Sequence, residues 1–419
     1  MTRKMKDSGI EWIGEIPEEW SIVKVKSLFE LGRGRVIAQT ELKEGGLYPV
    51  YSSQTKNNGC LGYIDTYDFD KNQLTWTTDG ANAGTVFLRE GKYNCTNVCG
   101  TLLPRTNDNL KFLKYDLEYI AIYHKRLDTN GYKIMNNEMA EIRIVRPELC
   151  EQNKIADFLD DRCNKIDQTI EKEKEVIEKL KEYKQSVITE AVTKGLNPEA
   201  PMKDSGVEWI GEIPEHWSIR RLRYLGNCQN GISKSSEYFG KGYPFVSYGD
   251  VYRNMELPEV VNGLVESTET DRKTYSVEQG DIFFTRTSET IEEIGLTCIC
   301  TKTIENATFA GFLIRVRPTN KESLNIGYSK YYFSSNIHRR FFVKEMNLVT
   351  RASLSQELLK KLPVLLPPIE EQQEIADYLD KKCSAIDKLI SNKEQVIEKL
   401  TEYKKSLIYE CVTGKREVQ

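Results

Sequence analysis

One 18-residue phrase occurs twice in this 419-residue chain. MKDSGIEWIGEIPEEWSI covers residues 5–22, MKDSGVEWIGEIPEHWSI covers residues 202–219, and 16 of the 18 positions are identical. Such a recurrence indicates an internal duplication. A duplication constrains the fold before any single element is assigned, because each half must build the same frame.

A second pair of similar segments follows the same plan. Residues 151–194 and 371–414 are identical at 24 of 44 positions, whereas the intervening segments show little obvious similarity to each other. The chain therefore consists of a repeated frame that carries two different modules. The expected divisions are a first domain at 1–150, a helix at 151–194, a linker with the repeated phrase at 195–219, a second domain at 220–370, a helix at 371–414 and a tail at 415–419.

The two 44-residue segments have the pattern of long coiled-coil helices. In each copy nine of eleven seam positions, spaced three and four residues apart, are apolar, and no Gly or Pro occurs before the last residue. A heptad seam of this length predicts a coiled coil. An ordinary core helix of a bundle is the alternative.

The duplication also predicts the direction of these helices. The first helix leads into the second copy of the phrase, but no helix precedes the first copy in the sequence. If the two halves are equivalent, the second helix returns to the first copy. The helices are then antiparallel, with the modules at opposite ends, and a symmetric register sets Lys404 near Glu173 and Lys184 near Lys393.

Charge and composition indicate which partners the modules suit. The formal net charge is −4, yet residues 21–147 carry 17 basic against 14 acidic residues, and residues 218–367 carry 20 against 16. Two mildly basic modules on an acidic frame are compatible with nucleic-acid binding. Because the sequence contains neither a run of about 20 apolar residues nor a signal-peptide core, we expect a cytoplasmic protein without membrane contact.

No catalytic or metal-binding motif stands out in either module. Alternating apolar and polar residues between Gly and Asn predict short strands, and helices are predicted at about 112–127 and 327–345, so both modules are expected to be α+β. Phosphate-binding glycine loops and HExxH are absent, and the ten cysteines and three histidines lack standard zinc spacing. We therefore expect no catalytic residue, no metal and reduced thiols.

Polar turns flanked by aromatic and basic residues are the candidate DNA-binding segments. Lys and Arg neutralise phosphates, whereas Arg, Gln and Asn bind base edges through paired hydrogen bonds. For any single residue, a solvated surface side chain is the plainer alternative. The predicted contacts are Ser53, Gln54, Lys56, Asn57, Thr78, Asn82 and Lys133 in the first module, and Ser247, Tyr248, Tyr252, Arg253, Arg286, Thr287, Ser288, Arg339, Arg340, Lys344 and Arg351 in the second.

This arrangement resembles the specificity subunit of type I restriction-modification systems. IPEEW (16–20) and IPEHW (213–217) are similar to the start of each target-recognition domain in that family, and LPPIEEQQEIADYLD (366–380) is similar to the start of its long helices. RPELCEQNKIADFLD (146–160) departs from the pattern, with one proline instead of two. The resemblance implies an α+β fold in which two target-recognition domains are joined by two long antiparallel coiled-coil helices, with a pseudo-twofold internal repeat.

The resemblance also implies a function and a set of partners. Each domain reads one half of a bipartite double-stranded DNA target, and the helices fix the spacing and dock two methyltransferase subunits, while restriction-translocase subunits complete the complex. S-adenosylmethionine, ATP and Mg belong to those partners, so the chain itself is non-catalytic and needs no cofactor. Two alternatives remain at this point: a coiled-coil scaffold with two protein-binding modules, and an enzyme with an unrecognised site.

Overall fold

The computed structural model of the chain divides into two units. Unit 1 comprises Met1–Lys174 and Glu394–Gln419, and unit 2 comprises Glu175–Lys393. Each unit thus holds one variable module together with parts of both long helices. The structure describes residues 3–129, 131–288, 293–320, 322–345 and 352–418.

Two long helices correspond to the predicted coiled-coil segments. They span Leu149–Lys194 (46 residues) and Ile369–Val412 (44 residues), within about two residues of the predicted bounds. Their apolar seams are buried because residues three and four apart share one helix face. Buried seam residues are Ile155, Ala156, Leu159, Cys163, Ile166, Leu407, Ile408, Cys411 and Val412 in unit 1, and Val187, Ile188, Ala191, Val192, Ile375, Leu379 and Cys383 in unit 2.

Within unit 1 the segments of the two helices run antiparallel. Lys404 Nζ lies 2.7 Å from the carboxylate of Asp167, and the guanidinium of Arg416, just beyond the second helix, lies 5.7 Å from the ring centroid of Phe158. A later residue of the second helix therefore meets an earlier residue of the first.

The same direction is found within unit 2. Lys184 Nζ lies 2.7 Å from the carboxylate of Asp387. Further along the chain, a Cβ built on Gly195 would lie 3.0 Å from the carboxylate of Glu371. The predicted antiparallel arrangement is confirmed in each unit.

The repeated phrase forms a short hairpin that receives a helix end. Met5–Asp7 pairs with Glu15–Pro17 in unit 1, and Met202–Asp204 pairs with Glu212–Pro214 in unit 2. A Cβ on Gly414, after the second helix, would lie 2.4 Å from Pro17, and a Cβ on Gly195, after the first, would lie 3.3 Å from Trp217. The second helix therefore supplies the neighbour that the first copy of the phrase lacks in sequence, as predicted.

The first module is built on two four-stranded sheets. The antiparallel sheet has the spatial order Phe29–Arg33, Cys99–Pro104, Gln73–Thr77, Val86–Arg89. The mixed sheet has the order Cys60–Ile64, Tyr48–Tyr51, Lys92–Cys95, Phe69–Asp70, in which the middle pair is parallel. The predicted helix at 112–127 is shorter, Leu110–Ile120, and begins at an Asn109 side chain that accepts hydrogen bonds from Lys111 N and Phe112 N.

The second module has the same strand order despite its different sequence, except that its mixed sheet has three described strands instead of four. Its antiparallel sheet is ordered Gly226–Asn230, Leu313–Pro318, Ile282–Thr285, Thr297–Ile299, and its mixed sheet is ordered Leu264–Val265, Phe239–Val246, Thr308–Phe309. The predicted helix at 327–345 is instead two helices, Ile326–Ser334 and Ile337–Glu345, because the backbone at Ser335 is extended. Two dissimilar sequences therefore fold on one plan.

A glycine at the same place in both modules shows how close the correspondence is. A Cβ on Gly34 would lie 2.2 Å from Cys95 O, and a Cβ on Gly231 would lie 2.1 Å from Phe309 O. No side chain fits at either distance, so both positions require glycine for the backbone to approach the neighbouring strand.

Smaller elements complete the units. Two-stranded pairs are Ser21–Lys24 with Arg143–Arg146, Arg126–Asp128 with Gly131–Lys133, Ser218–Arg221 with Pro363–Leu366, and Thr287–Ser288 with Ala352–Ser353. Short helices are Val25–Leu28, Asn136–Glu141, Tyr248–Arg253, Glu269–Thr274 and Gln356–Leu359. Within the described ranges, no helix has both the length and the apolar character needed to cross a bilayer.

Candidate nucleic-acid interface

A buried threonine holds the same polar loop in both modules. Thr77 ends its strand, and its Oγ1 accepts a hydrogen bond from Thr85 N at 3.2 Å and donates one to Asn82 O. In the second module Thr285 Oγ1 accepts from Leu296 N at 2.9 Å and donates to Glu293 O at 3.0 Å. The loops that follow these strands are therefore equivalent, although one begins TDGANAG and the other RTSETIEEIG.

Backbone hydrogen bonds fix the start of each loop in the same way. Thr78 N donates to Val98 O at 3.0 Å, as Arg286 N donates to Phe312 O at 2.9 Å. Ile134 N donates to Thr78 O, as Leu354 N donates to Arg286 O. The backbone is therefore held on both sides at Thr78 and at Arg286, where the two loops begin.

Two predicted segments of the second module meet in one cluster. Tyr248 Oη donates to Thr287 O at 3.0 Å, and the rings of Tyr248 and Tyr252 stack with centroids 5.9 Å apart. Tyr252 Oη and Ser288 Oγ donate to the two carboxylate oxygens of Glu293, at 2.8 and 2.7 Å respectively. We call Tyr248, Tyr252, Thr287, Ser288 and Glu293 the tyrosine–glutamate cluster.

The cluster carries a negative charge that is shared through hydrogen bonds. Hydrogen bonds from Ser288 and Tyr252 lower the pKa of Glu293, so its carboxylate is ionised at neutral pH. The same bond to Glu293 raises the pKa of Tyr252, and burial raises that of Tyr248, so both hydroxyls stay protonated. Sequence reasoning missed Glu293, because nothing local distinguishes it from the other acidic residues of its loop.

The other predicted residues of the second module are distributed around this cluster. Ser247 caps the helix Tyr248–Arg253, because its Oγ accepts a hydrogen bond from Asp250 N at 3.3 Å, and its hydroxyl also donates to Asp250 Oδ2 at 2.7 Å, which is a structural role. Arg253 is exposed, Arg286 is partly exposed, and Arg340 is exposed on the helix Ile337–Glu345. Arg351 and the side chains of Arg339 and Lys344 lie outside the described residues.

In the first module a predicted loop lies over a buried arginine. Ser53 and Gln54 are partly exposed, Gln54 donates to Cys60 O, and Lys56 and Asn57 are exposed. Asn57 and Asn58 both have left-handed backbones, with φ of 50° and 53°. Asn residues tolerate this region better than most other residues, which accounts for the two asparagines in this turn.

That buried arginine is Arg89, which sequence reasoning also missed. It is 2% exposed, its Nη1 donates to Asn58 O at 2.7 Å, and its Nε donates to Thr75 Oγ1 at 3.1 Å. Its guanidinium lies 3.6 Å from the ring centroid of Tyr51, and a Cβ on Gly59 would lie 3.0 Å from its Nη2. Burial lowers the pKa of Arg89, and its hydrogen bonds tie the loop to the sheet beneath it.

The remaining predicted residues of the first module surround the second loop. Thr78 has no exposed area, and its hydroxyl lies 2.6 Å from Asp79 Oδ2 and 3.0 Å from Val98 O. This placement argues against a direct DNA contact by Thr78, because its polar group is already bonded inside the module. Asn82 is exposed, and Lys133 is partly exposed, with its Nζ 3.6 Å from Asp79.

In the described part of the chain, no group of three or more His, Cys, Asp or Glu side chains is placed to hold a metal ion. The described residues of the two loops include the Asn82 amide, the Ser288 hydroxyl, the Glu293 carboxylate and the Arg286 guanidinium. Such groups can bind phosphates and base edges.

Comparison with known proteins gives a consistent result along most of the chain. Residues 17–181 and 214–400 match the family described as the type I restriction modification DNA specificity domain. The two matched stretches each include one module and part of a long helix.

Individual relatives agree with this match. A putative type I specificity subunit from Mycoplasma pneumoniae is 43% identical over 140 residues, which are 33% of this chain and 74% of that protein. The putative MjaX type I restriction enzyme specificity subunit of Methanocaldococcus jannaschii is 27% identical over 441 residues, with 97% of this chain and 96% of that protein covered. Two further M. pneumoniae relatives are matched over 56% and 38% of their own length.

Solved structures show the same fold. A chain from a structural study of assembly and conformational transition in the type I R-M system has a TM-score of 0.70 and 14% identity, with 96% of this chain and 99% of that chain covered. At this identity the likeness concerns the fold alone.

Proposed function

Since the chain belongs to the type I restriction-modification DNA specificity family, we propose that it is a sequence-specificity subunit that reads a DNA target in two parts. Each module contacts one half-site, and the two long helices set the spacing between the half-sites. Phosphate contacts from basic residues position the modules, while the polar loops read base edges.

One observation carries this proposal. The two modules share strand order, the threonine that holds the loop and the backbone hydrogen bonds at its start, but the loop residues themselves differ. A common scaffold with different polar side chains at equivalent positions is suited to two readers of different sequences. The two half-sites should therefore differ.

Partner subunits supply the chemistry in this proposal. Equivalent apolar side chains are exposed on both helices, at Val176 and Tyr183 of the first and Val396 and Tyr403 of the second, with 38–54% exposure. Such repeated exposed positions suit two identical methyltransferase subunits, one for each unit. Restriction-translocase subunits join them in the cytoplasm, and the partners bring S-adenosylmethionine, ATP and Mg, so this chain is non-catalytic.

An exchange of one module tests the proposal. Leu222 N donates to Leu362 O as Val25 N donates to Ile142 O, so residues 220–362 and 23–142 are matched exchange units. Replacing residues 220–362 with the equivalent segment of another specificity subunit should change one half of the methylated motif, and replacing residues 23–142 should change the other. Mapping of methylated adenines in cells that carry the partner subunits measures both results. Alteration of both halves by one exchange would falsify the modular reading.

The scaffold alternative predicts a different result for the isolated chain. A DNA reader binds duplex DNA with an affinity that falls steeply with salt, because each phosphate contact releases a counterion. A protein scaffold shows no such binding. The purified chain should bind duplex DNA weakly and should neither cut nor methylate it; metal-dependent cleavage by the chain alone would support an unrecognised enzyme instead.

A further inference from the structure

In each module the buried threonine that holds the loop donates a hydrogen bond to one backbone carbonyl of that loop. The residue that provides this carbonyl occupies the same position in both modules. In the first module this residue is Asn82, which accepts from Thr77, and in the second it is Glu293, which accepts from Thr285. Both side chains project from a backbone fixed by a buried hydroxyl. One position therefore carries an amide in one module and a carboxylate in the other.

The Glu293 carboxylate is oriented by hydrogen bonds from two side chains. Tyr252 Oη, on the helix Tyr248–Arg253, and Ser288 Oγ, on the strand Thr287–Ser288, donate to one carboxylate oxygen each. An ionised carboxylate can accept about four hydrogen bonds, and the hydrogen bonds from Tyr252 and Ser288 occupy two of these positions. Among the described residues, no Lys or Arg forms an ion pair with Glu293, although the module is basic as a whole.

A carboxylate on a DNA-binding surface is informative because it cannot bind phosphate. It repels the phosphate backbone, and a hydrogen bond accepted from a base offsets this repulsion. The donors that bases offer in the major groove are the amino groups of cytosine and adenine. Carboxylates pair with cytosine N4, whereas Asn and Gln pair with adenine N6 and N7.

We propose that this shared position determines one base in each half-site, with Glu293 accepting from the N4 amino group of a cytosine and Asn82 pairing with an adenine. The inference rests on the proposed function and names the base chemistry of the same loops. Tyr252 and Ser288 are positioning residues that orient the Glu293 carboxylate through hydrogen bonds.

The test uses the full chain in its methyltransferase complex and maps the methylated motif. In Glu293→Asn, which carries the residue of the first module, one G·C pair of the second half-site should become A·T or degenerate. The preference for cytosine should fall about tenfold or more, as for loss of one good base contact. The first half-site should stay unchanged. Asn82→Glu should alter the first half-site only.

Two further variants keep the outcome clear. If Glu293→Asn methylates nothing, the isosteric Glu293→Gln decides, because it removes the charge and keeps the shape. The Tyr252→Phe and Ser288→Ala variants should each lose part of the discrimination at the same cytosine. A loss smaller than that of Glu293→Gln supports the positioning roles of Tyr252 and Ser288. Glu305→Gln, which alters an exposed carboxylate of the same module, is the matched control and should leave the motif unchanged.

Specific outcomes overturn the inference without touching the proposed function. Glu293 does not read a base if the second half-site contains no G·C pair. The same conclusion follows if the Glu293→Gln variant methylates the wild-type motif with unchanged discrimination between bases. If exchange of residues 220–362 nevertheless changes that half-site, the module still reads DNA, and only the assignment of Glu293 is wrong. If the exchange also changes nothing, the proposed function itself fails.

Discussion

Lys404 Nζ lies 2.7 Å from each carboxylate oxygen of Asp167 in unit 1. Lys184 Nζ lies 2.7 Å from each carboxylate oxygen of Asp387 in unit 2. In both units a lysine of one long helix therefore binds an aspartate of the other across the seam. The repetition of one ion pair in both units shows that the internal duplication extends to the register of the helices.

We expect this ion pair to contribute to register more than to stability. In unit 1 the side chain of Lys404 is 29% exposed and that of Asp167 is 53% exposed, so water and salt screen their attraction. Lys404→Ala should lower the free energy of unfolding by about 1 kcal/mol or less. Thermal unfolding of the two proteins should differ by a few degrees at low salt, and the difference should shrink in 1 M NaCl.

A charge exchange is the control for Lys404. Lys404→Asp combined with Asp167→Lys should recover most of the stability that either single change loses, because the pair is rebuilt with opposite polarity. A loss that the double variant does not recover would show that the lysine side chain acts through packing rather than through charge.

Two glycines that follow the long helices should differ in their tolerance of substitution. Gly414 and Gly195 both have left-handed backbones, with φ of 70° and 72°, so alanine is strained at either position by about 1 kcal/mol. At Gly414 the new Cβ would lie 2.4 Å from the rigid ring of Pro17. At Gly195 it meets the flexible carboxylate of Glu371 at 3.0 Å and the ring of Trp217 at 3.3 Å.

Gly414→Ala should therefore destabilise the protein more than Gly195→Ala. Because the proline ring cannot move aside, the C-terminal helix end must separate from the hairpin of the repeated phrase. Thermal unfolding and the rate of protease cleavage near the C-terminus measure the effect, with Gly195→Ala as the matched control. Equal losses in the two variants would count against a tight joint at Pro17.

The internal repeat made the two long helices and the repeated hairpins predictable from sequence. It did not determine the register in which the two helices pair. Helix bounds and the return of the second helix to the first phrase followed from the duplicated segments. The predicted pairing of Lys404 with Glu173 was wrong, because the structure pairs Lys404 with Asp167, six residues earlier (173 − 167). A heptad seam repeats every seven residues and tolerates several registers, whereas the charged residues beside it select one.

The interiors of the modules were less predictable. Alternating residues indicate strands but not their order, so the shared topology of two dissimilar modules could not be read from sequence. Arg89 and Glu293 were missed for the same reason. Each acquires its role from residues distant in sequence, such as Asn58 for Arg89 and Tyr252 for Glu293, and only the fold brings them together.

Asp116 and Tyr332 occupy equivalent places in the two modules, on the helices that begin after Asn109 and Asn325. Tyr332 Oη donates to Pro363 O and accepts from Leu365 N, both at 3.0 Å. Asp116 is 1% exposed, and neither of its carboxylate oxygens has a hydrogen-bond partner of normal geometry. Burial raises the pKa of Asp116 well above 3.8, and the backbone of Val145 offsets this only in part.

The raised pKa predicts how the stability of the protein depends on pH. In the unfolded chain Asp116 loses its proton near its ordinary pKa of 3.8, whereas the folded protein retains the proton to a higher pH. The free energy of unfolding therefore falls as the pH rises from the pKa of Asp116 in the unfolded chain to its pKa in the folded protein. Above the folded pKa it stays at this lower level. Asp116→Asn keeps the shape but has no charge to bury. It should raise the free energy of unfolding at pH 7 by about 1–3 kcal/mol.

The gain from Asp116→Asn should be small near pH 4 and should grow as the pH rises. Thermal unfolding of the variant and the wild type between pH 4.5 and 8.5 measures this difference, in which the other titrating groups cancel. Tyr332→Phe is the matched change in the second module and should be destabilising, because it leaves Pro363 O and Leu365 N without their partner. A gain that does not vary with pH would mean that Asp116 titrates normally in the folded protein, and that its burial is compensated by water or by local opening of the helix.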